Sequence, residues 1–151
     1  MSSIVNLGIT GSREGFTNEQ WKAFTEFVDG LLSRNPIHYF HQGQCVGVDV
    51  EAAKYLAEKQ VLIVSHPPIN KASVDESPIH FTREDKTYFE RNRDIVNESD
   101  FMLVVPNTMQ HRSYGGTWYT HDYAVKQNKP LCIIYPNGTI EYKGVFDAKT
   151  D

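Results

Sequence analysis

At 151 residues the chain has the length of one domain, enough to bury a continuous core without disulfides or metal. Hydrophobic residues make up 40% and charged residues 23%, an ordinary globular balance, and the formal net charge of -4 argues against a surface that coats duplex nucleic acid. No apolar stretch reaches membrane-spanning length, Met1-Ser2-Ser3 carries no basic secretory region, and the two cysteines, Cys45 and Cys132, do not make a disulfide framework, so a cytoplasmic chain with reduced thiols is expected.

In chain order, the apolar run Ile4 to Ile9 predicts a first strand that leads into Thr10-Gly11-Ser12-Arg13. Asn18 to Arg34 carries Trp21, Phe24, Val28, Leu31 and Leu32 at helical spacing, with Thr17 or Asn18 as N-cap. Ile37 to Phe40 predicts a second strand leading into Gln42-Gly43-Gln44-Cys45-Val46-Gly47-Val48-Asp49. A helix from about Val48 to Lys59 and a buried strand from Val61 to Val64 complete two right-handed strand-helix-strand units.

From His66 to about Asp85 periodicity disappears and Pro67, Pro68 and Pro78 accumulate, which for a compact domain reads as a functional lid. Helix resumes over Thr87 to Glu98, followed by a strand Phe101 to Val105, a polar loop, a helix from Gly116 to Gln127 and a strand Leu131 to Tyr135. Thr139 to Tyr142 adds an edge strand, and Asn137-Gly138-Thr139 reads as the tight turn before it rather than as a glycosylation site. The alternation predicts an α/β fold: one Rossmann-like domain with an open, mostly parallel sheet and helices on both faces.

Three of these strands end in glycine-containing loops, and crossover helices place every such loop at the same carboxyl edge. A Gly loop opening a helix aims backbone N–H groups and the helix N-terminus at an anion, so Gly11, Ser12 and Arg13, then Gly43, Gly47 and Asp49, then Gly115, Gly116, Thr117 and Trp118 are the candidate ligand-binding residues. Arg13 and Arg91 supply guanidinium groups able to hold a phosphate by two parallel hydrogen bonds. Trp118, or Tyr88 and Phe89, offers a flat face for a base, whereas Tyr123 reads as packing. The six histidines show no His-x-x-x-His pair and no cysteine at zinc spacing, so neither a metal nor a cofactor is expected.

With these motifs in place the chain resembles the SLOG superfamily, the Rossmann-like group that includes the LOG phosphoribohydrolases, the DprA core and nucleotide-signal sensors. It looks closest to the small YspA-like or YpsA-related branch. The resemblance is carried by Gly8-Ile9-Thr10-Gly11-Ser12-Arg13, His41-Gln42-Gly43 with Cys45-Val46-Gly47-Val48-Asp49, His66-Pro67-Pro68, Glu90-Arg91-Asn92-Arg93-Asp94-Ile95-Val96 and Gly116-Thr117-Trp118, in order across almost the whole chain.

The resemblance implies a nucleotide-derived ligand, an ADP-ribose-like or cyclic nucleotide signal, held by the glycine loops of a sensor or sequestering protein, with a homodimer or higher oligomer as the assembly. LOG enzymes place an acidic residue three positions after the Thr of their phosphate motif; here that position is Thr120, which weakens an N-glycoside hydrolase reading because a hydroxyl cannot stabilise an oxocarbenium-like centre as a carboxylate does. If the chain is such an enzyme, the catalytic candidates are Arg91, which falls on the family's arginine, with Asp122 or Asp49 as a displaced acid. DprA-like single-stranded DNA binding is the third reading, disfavoured by the acidic balance.

Overall fold

The structure, a computed structural model, describes residues 4–34 and 36–144. Its elements run β1 (Asn6–Gly11), α1 (Asn18–Arg34), β2 (Tyr39–Gln42), α2 (Val48–Glu58), β3 (Leu62–Ser65), β4 (Phe81–Thr82), α3 (Tyr88–Glu98), β5 (Phe101–Val105), α4 (Gly116–Lys126), β6 (Leu131–Ile134) and β7 (Ile140–Lys143). The strands form one sheet in the order β4-β3-β2-β1-β5-β6-β7, parallel throughout except for the antiparallel β6–β7 pair at the edge. No helix among the described residues is long and apolar enough to cross a membrane.

Period-two alternation splits the core into two layers. In β5 the side chains of Phe101, Leu103 and Val105 join Leu7, Ile9, Phe24, Val28, Phe40 and Leu56 under α1 and α2, while Met102 and Val104 face Ile95, Val96, Trp118 and Ala124 under α3 and α4. β6 divides the same way, Cys132 and Ile134 to the first layer, Leu131 and Ile133 to the second. A strand buried on both faces reads as a continuous apolar run, which is why β5 and β6 stand out in the sequence.

Helix starts follow capping chemistry. Thr17 Oγ1 accepts from the Gln20 amide at 3.0 Å while Gln20 Oε1 accepts from the Thr17 amide at 2.9 Å, closing a capping box at α1. The Gln20 side-chain nitrogen then donates to the carbonyls of Pro106 and Ile134, tying this end of α1 to the ends of β5 and β6. Thr87 and Glu90 make the same reciprocal pair at α3.

β1 and β2 lie about two residues further along than their apolar runs predict, because pairing, not hydrophobicity, ends a strand: Thr10 and Gly11 continue the ladder against Val104 and Val105. β4 was not visible in sequence, its two residues Phe81 and Thr82 being too few for a period and held by pairing with Val64 and Ser65. The proline-rich stretch expected to be a lid is bonded at one part to the second glycine loop and at another to the β3 edge of the sheet. Backbone bonds link Val46 to Ser73, Asp75 to Gln44, His80 to Ile63 and Arg83 to Ser65.

Candidate functional site

The sheet reverses its winding between β1 and β5: β1 leads outward to β2 and β3 on one side, β5 to β6 on the other. Loops leaving the carboxyl ends of such a strand pair diverge and leave a crevice, the place where open α/β sheets hold ligands. Here the pair is stitched at that end by the Ser12 amide donating to the Val105 carbonyl at 3.0 Å. Above it opens a cleft of about 680 Å³, bounded by Gly11, Ser12, Arg13 and Glu14 on one side and by Asn107, Thr108, Arg112 and Tyr114 to Trp118 on the other, with Tyr88 between them.

The far wall is the start of α4. Its N-cap is Gly115, at φ 91°, and no side chain among the described residues caps the helix. A Cβ on Gly115 would meet nothing within 4 Å, so the backbone is open to the cleft. Tyr119 is the first residue to donate along the helix, to the Gly115 carbonyl at 3.0 Å. The amides of Gly116, Thr117 and Trp118 before it have no intrahelical acceptor and no other partner among the described residues, and such donors carry the positive end of the helix dipole.

Two arginines border the same cleft without a carboxylate partner among the described residues. Arg13 is exposed, with its guanidinium carbon 6.0 Å from the centroid of the Tyr88 ring. Arg112 donates to the Tyr114 hydroxyl and stacks at 5.7 Å over its ring. Glu14 is the one carboxylate among the residues bounding the cleft. Tyr88 closes the floor, so near Gly116 that a Cβ there would stand 2.3 Å from its hydroxyl oxygen.

Of the three glycine loops, the first and third border the cleft; the second lies behind the first and makes bonds of its own. The carboxylate of Asp49 accepts from the amides of Gly43 at 3.0 Å and Cys45 at 3.3 Å, the Gln42 side-chain oxygen accepts from the Gln44 amide, and the Ser73 carbonyl from the Val46 amide. Gly47, at φ 99°, brings α2 so close that a Cβ would lie 2.5 Å from the Ser12 carbonyl oxygen, which accepts from the Val48 amide at 3.0 Å. This loop therefore shapes the first one, and Gly43, Gly47 and Asp49 do not bound the cleft.

Arg91 is likewise turned inward. Buried to 2% exposure, it donates through Nη1 to the carbonyls of Gly43 at 2.7 Å and His66 at 2.9 Å and through Nε to Asn92 at 2.8 Å. The expectation of a phosphate-holding Arg91 gives way to a guanidinium that fastens the second loop to the chain after β3. Asp49 shares this interior: burial pushes its carboxyl up to about 6, against the pull of Arg91 and the two amides. Arg93, on the exposed side of α3, donates to the Tyr119 hydroxyl at 2.8 Å.

The remaining candidates separate in the same way. Thr120 is buried and bonds back to the Gly116 carbonyl at 2.8 Å. Asp122 lies outside the cleft, its Oδ1 2.8 Å from both His111 Nε2 and His121 Nδ1. Trp118 is 5% exposed, packed between His111 and His121 with its indole N–H donating to Thr108 at 3.0 Å, so it offers the cleft little surface. Tyr88, one of the two alternatives raised for a flat face, borders both the cleft and a smaller adjoining cavity of about 240 Å³ with Arg13, Cys45, Pro68 and Ser73. Arg112, Asn107 and Thr108 were not anticipated, because the 106–114 loop has no periodicity and its placement depends on contacts distant in sequence.

The backbone agrees with three solved structures. A molybdenum cofactor binding protein from Rippkaea orientalis superposes with a TM-score of 0.65 at 18% identity over 89% of this chain and 78% of its own. The structural-genomics protein TM1055 gives 0.58 at 14% identity over 83% and 71%, and DNA processing protein A from Helicobacter pylori, described for its single-stranded DNA binding mode, gives 0.56 at 16% over 85% and 64%. What the chain shares with them is the fold, a Rossmann-like α/β domain with a mostly parallel sheet. No protein-family model and no curated protein matches the sequence.

Proposed function

We propose that this SLOG-type chain binds a phosphorylated, nucleotide-derived small molecule in the cleft above β1 and β5, as a sensor or sequestering protein. The observation that carries this reading is the uncapped start of α4: free amides at Gly116, Thr117 and Trp118, an open Gly115, and Arg13 and Arg112 without acid partners among the described residues. Backbone donors at a helix N-terminus and paired guanidiniums are complementary to a phosphate. The cleft volume of about 680 Å³ falls in the range of small-molecule and cofactor sites. Tyr88, between the cleft and the smaller cavity, is placed to stack on a base or ring that reaches past the phosphate.

Binding is favoured over N-glycoside hydrolysis because the acids that the sequence offers for that chemistry are not in the cleft: Thr120 occupies the expected acidic position, Asp49 is buried beneath the second loop and Asp122 pairs with histidines outside the cleft, which leaves Glu14 as the carboxylate that bounds it. A small-molecule ligand is favoured over single-stranded DNA, although one structural neighbour is described as binding it, because the net charge is -4 and Glu14 interrupts the basic character of the cleft.

The test is a thermal-shift screen with AMP, NAD, ADP-ribose and cyclic dinucleotides, followed by incubation of each hit and detection of free base. A ligand at 100 times its dissociation constant adds about 2.7 kcal/mol of stability. Stabilisation that is lost in Arg13→Ala/Arg112→Ala, with the ligand recovered intact, is the expected result. No stabilisation by any phosphorylated compound, or a shift undiminished in the double variant, would overturn the reading; steady release of base suppressed by Glu14→Gln would establish the hydrolase instead.

A further inference from the structure

The structure brings together, away from the cleft, three residues that nothing in their sequence spacing connects: His41 on β2, His66 just after β3 and Glu98 at the end of α3. Both histidines are 2% exposed, and Glu98 is half-buried at their open side. His41 Nδ1 and His66 Nε2 are 2.9 Å apart, and Glu98 Oε1 lies 3.8 Å from the first and 3.9 Å from the second. A triangle with these sides has a centre about 2.1 Å from all three atoms, which is the zinc–nitrogen and zinc–carboxylate bond length.

We propose that His41, His66 and Glu98 form a binding site for a zinc-class divalent cation, with one coordination position left to water. The outer nitrogen of His41 supports it: Nε2 donates to Asn6 Oδ1 at 2.8 Å, which fixes the tautomer and leaves Nδ1 unprotonated, accepting from His66 and available as a ligand, and a second nitrogen so held is typical of a ligating histidine. His66 Nε2 carries the proton now shared with His41 Nδ1. On zinc binding that proton passes to His66 Nδ1, so both rings ligate as neutral imidazoles and none is lost to solvent.

Arg83 is the competing cation, donating to the same Glu98 oxygen at 2.8 Å and 2.9 Å, but it is half-exposed and free to swing toward solvent. The other histidine cluster lacks these qualities. In His111, His121 and Asp122 the Lys143 ammonium sits 3.0 Å from His121 Nε2, which places the ring proton on Nδ1, pointing at Asp122 where a metal would have to be.

The experiment uses the full chain stripped with a chelator, titrated with Zn²⁺ in a calorimeter and with Co²⁺ in an absorption spectrometer. One zinc per chain and a Co²⁺ ligand-field spectrum in the visible are expected, with the zinc lost in His41→Gln and His66→Gln, weakened more than about 10-fold in the better exposed Glu98→Gln, and retained in His111→Gln. Should the buried-histidine variants fail to fold, the wild-type Co²⁺ spectrum and Glu98→Gln decide. Absence of stoichiometric zinc in the wild type, unchanged affinity in Glu98→Gln, or loss confined to His111→Gln would overturn the proposal.

Discussion

The hydroxyl of Tyr88 and the α-carbon of Gly116 are in such close register that a methyl group on Gly116 would stand 2.3 Å from the phenolic oxygen. Tyr88 is the first residue of α3 and Gly116 the first of α4, so this contact joins the starts of the two helices at the floor of the cleft. Gly116→Ala therefore displaces the tyrosine. We expect it to weaken binding of the proposed phosphorylated ligand by about 10-fold or more while costing about 1 kcal/mol of stability through overpacking, and Gly116→Ala/Tyr88→Phe, which removes the obstructing hydroxyl, to recover part of the affinity. Isothermal titration and urea unfolding on the same proteins check both.

Arginines at the cleft and beneath it should fail differently. Arg13 and Arg112 make no ion pair among the described residues, so each alanine variant is expected to keep the wild-type melting temperature and lose about 10-fold in affinity for a phosphorylated ligand. Arg91 bonds two buried carbonyls, and Arg91→Ala leaves both acceptors and the Asp49 carboxylate uncompensated; a loss of about 3 kcal/mol is expected whether or not ligand is present. Parallel thermal melts and titrations separate the two classes.

Stability should change with acid in a predictable direction. His41 and His66 are lowered when folded, to about 4 and about 3, so the unfolded chain binds protons first and their contribution, complete above pH 6.5, is lost as pH falls through 6.5 toward 3. Asp49 runs the other way: raised to about 6 from 3.8, it makes the folded chain the better proton acceptor between those values, and stability falls there as pH rises. With two histidines against one aspartate, the chain is expected to gain stability from pH 4 to 6.5, a trend that His41→Gln flattens and Asp49→Asn steepens. Urea midpoints collected across that range measure it.

The thiols should be inert in the folded chain. Cys45 is buried, and burial together with Asp49 raises it despite Arg91 nearby; burial alone raises Cys132. Iodoacetamide at pH 7.5 is expected to leave both unmodified over hours and to alkylate both in denaturant, read by intact mass. Rapid single modification of the native protein would indicate that the chain around the second loop opens.

The order and type of the larger elements were legible because local chemistry specifies them. Asn18–Arg34 and Phe101–Val105 have their predicted bounds, the first set by helical spacing and a Thr17 cap, the second by an uninterrupted apolar run. The cleft was legible in part: Gly11 to Arg13 and Gly115 to Trp118 border it as expected, since a loop after a buried parallel strand has one edge available to it. Gly43, Gly47, Asp49 and Arg91 read the same way in sequence but serve the interior.

A glycine or arginine in a one-dimensional string looks alike whether its amide or guanidinium meets a ligand or a carbonyl. The partners of Arg91 are the backbones of Gly43 and His66, and those of His41 are Asn6, His66 and Glu98, separations that no periodicity spans. Short-range pattern thus determined the fold and the edge at which a site forms. Long-range packing alone decided which polar groups stay free at that edge and which are consumed in holding it together.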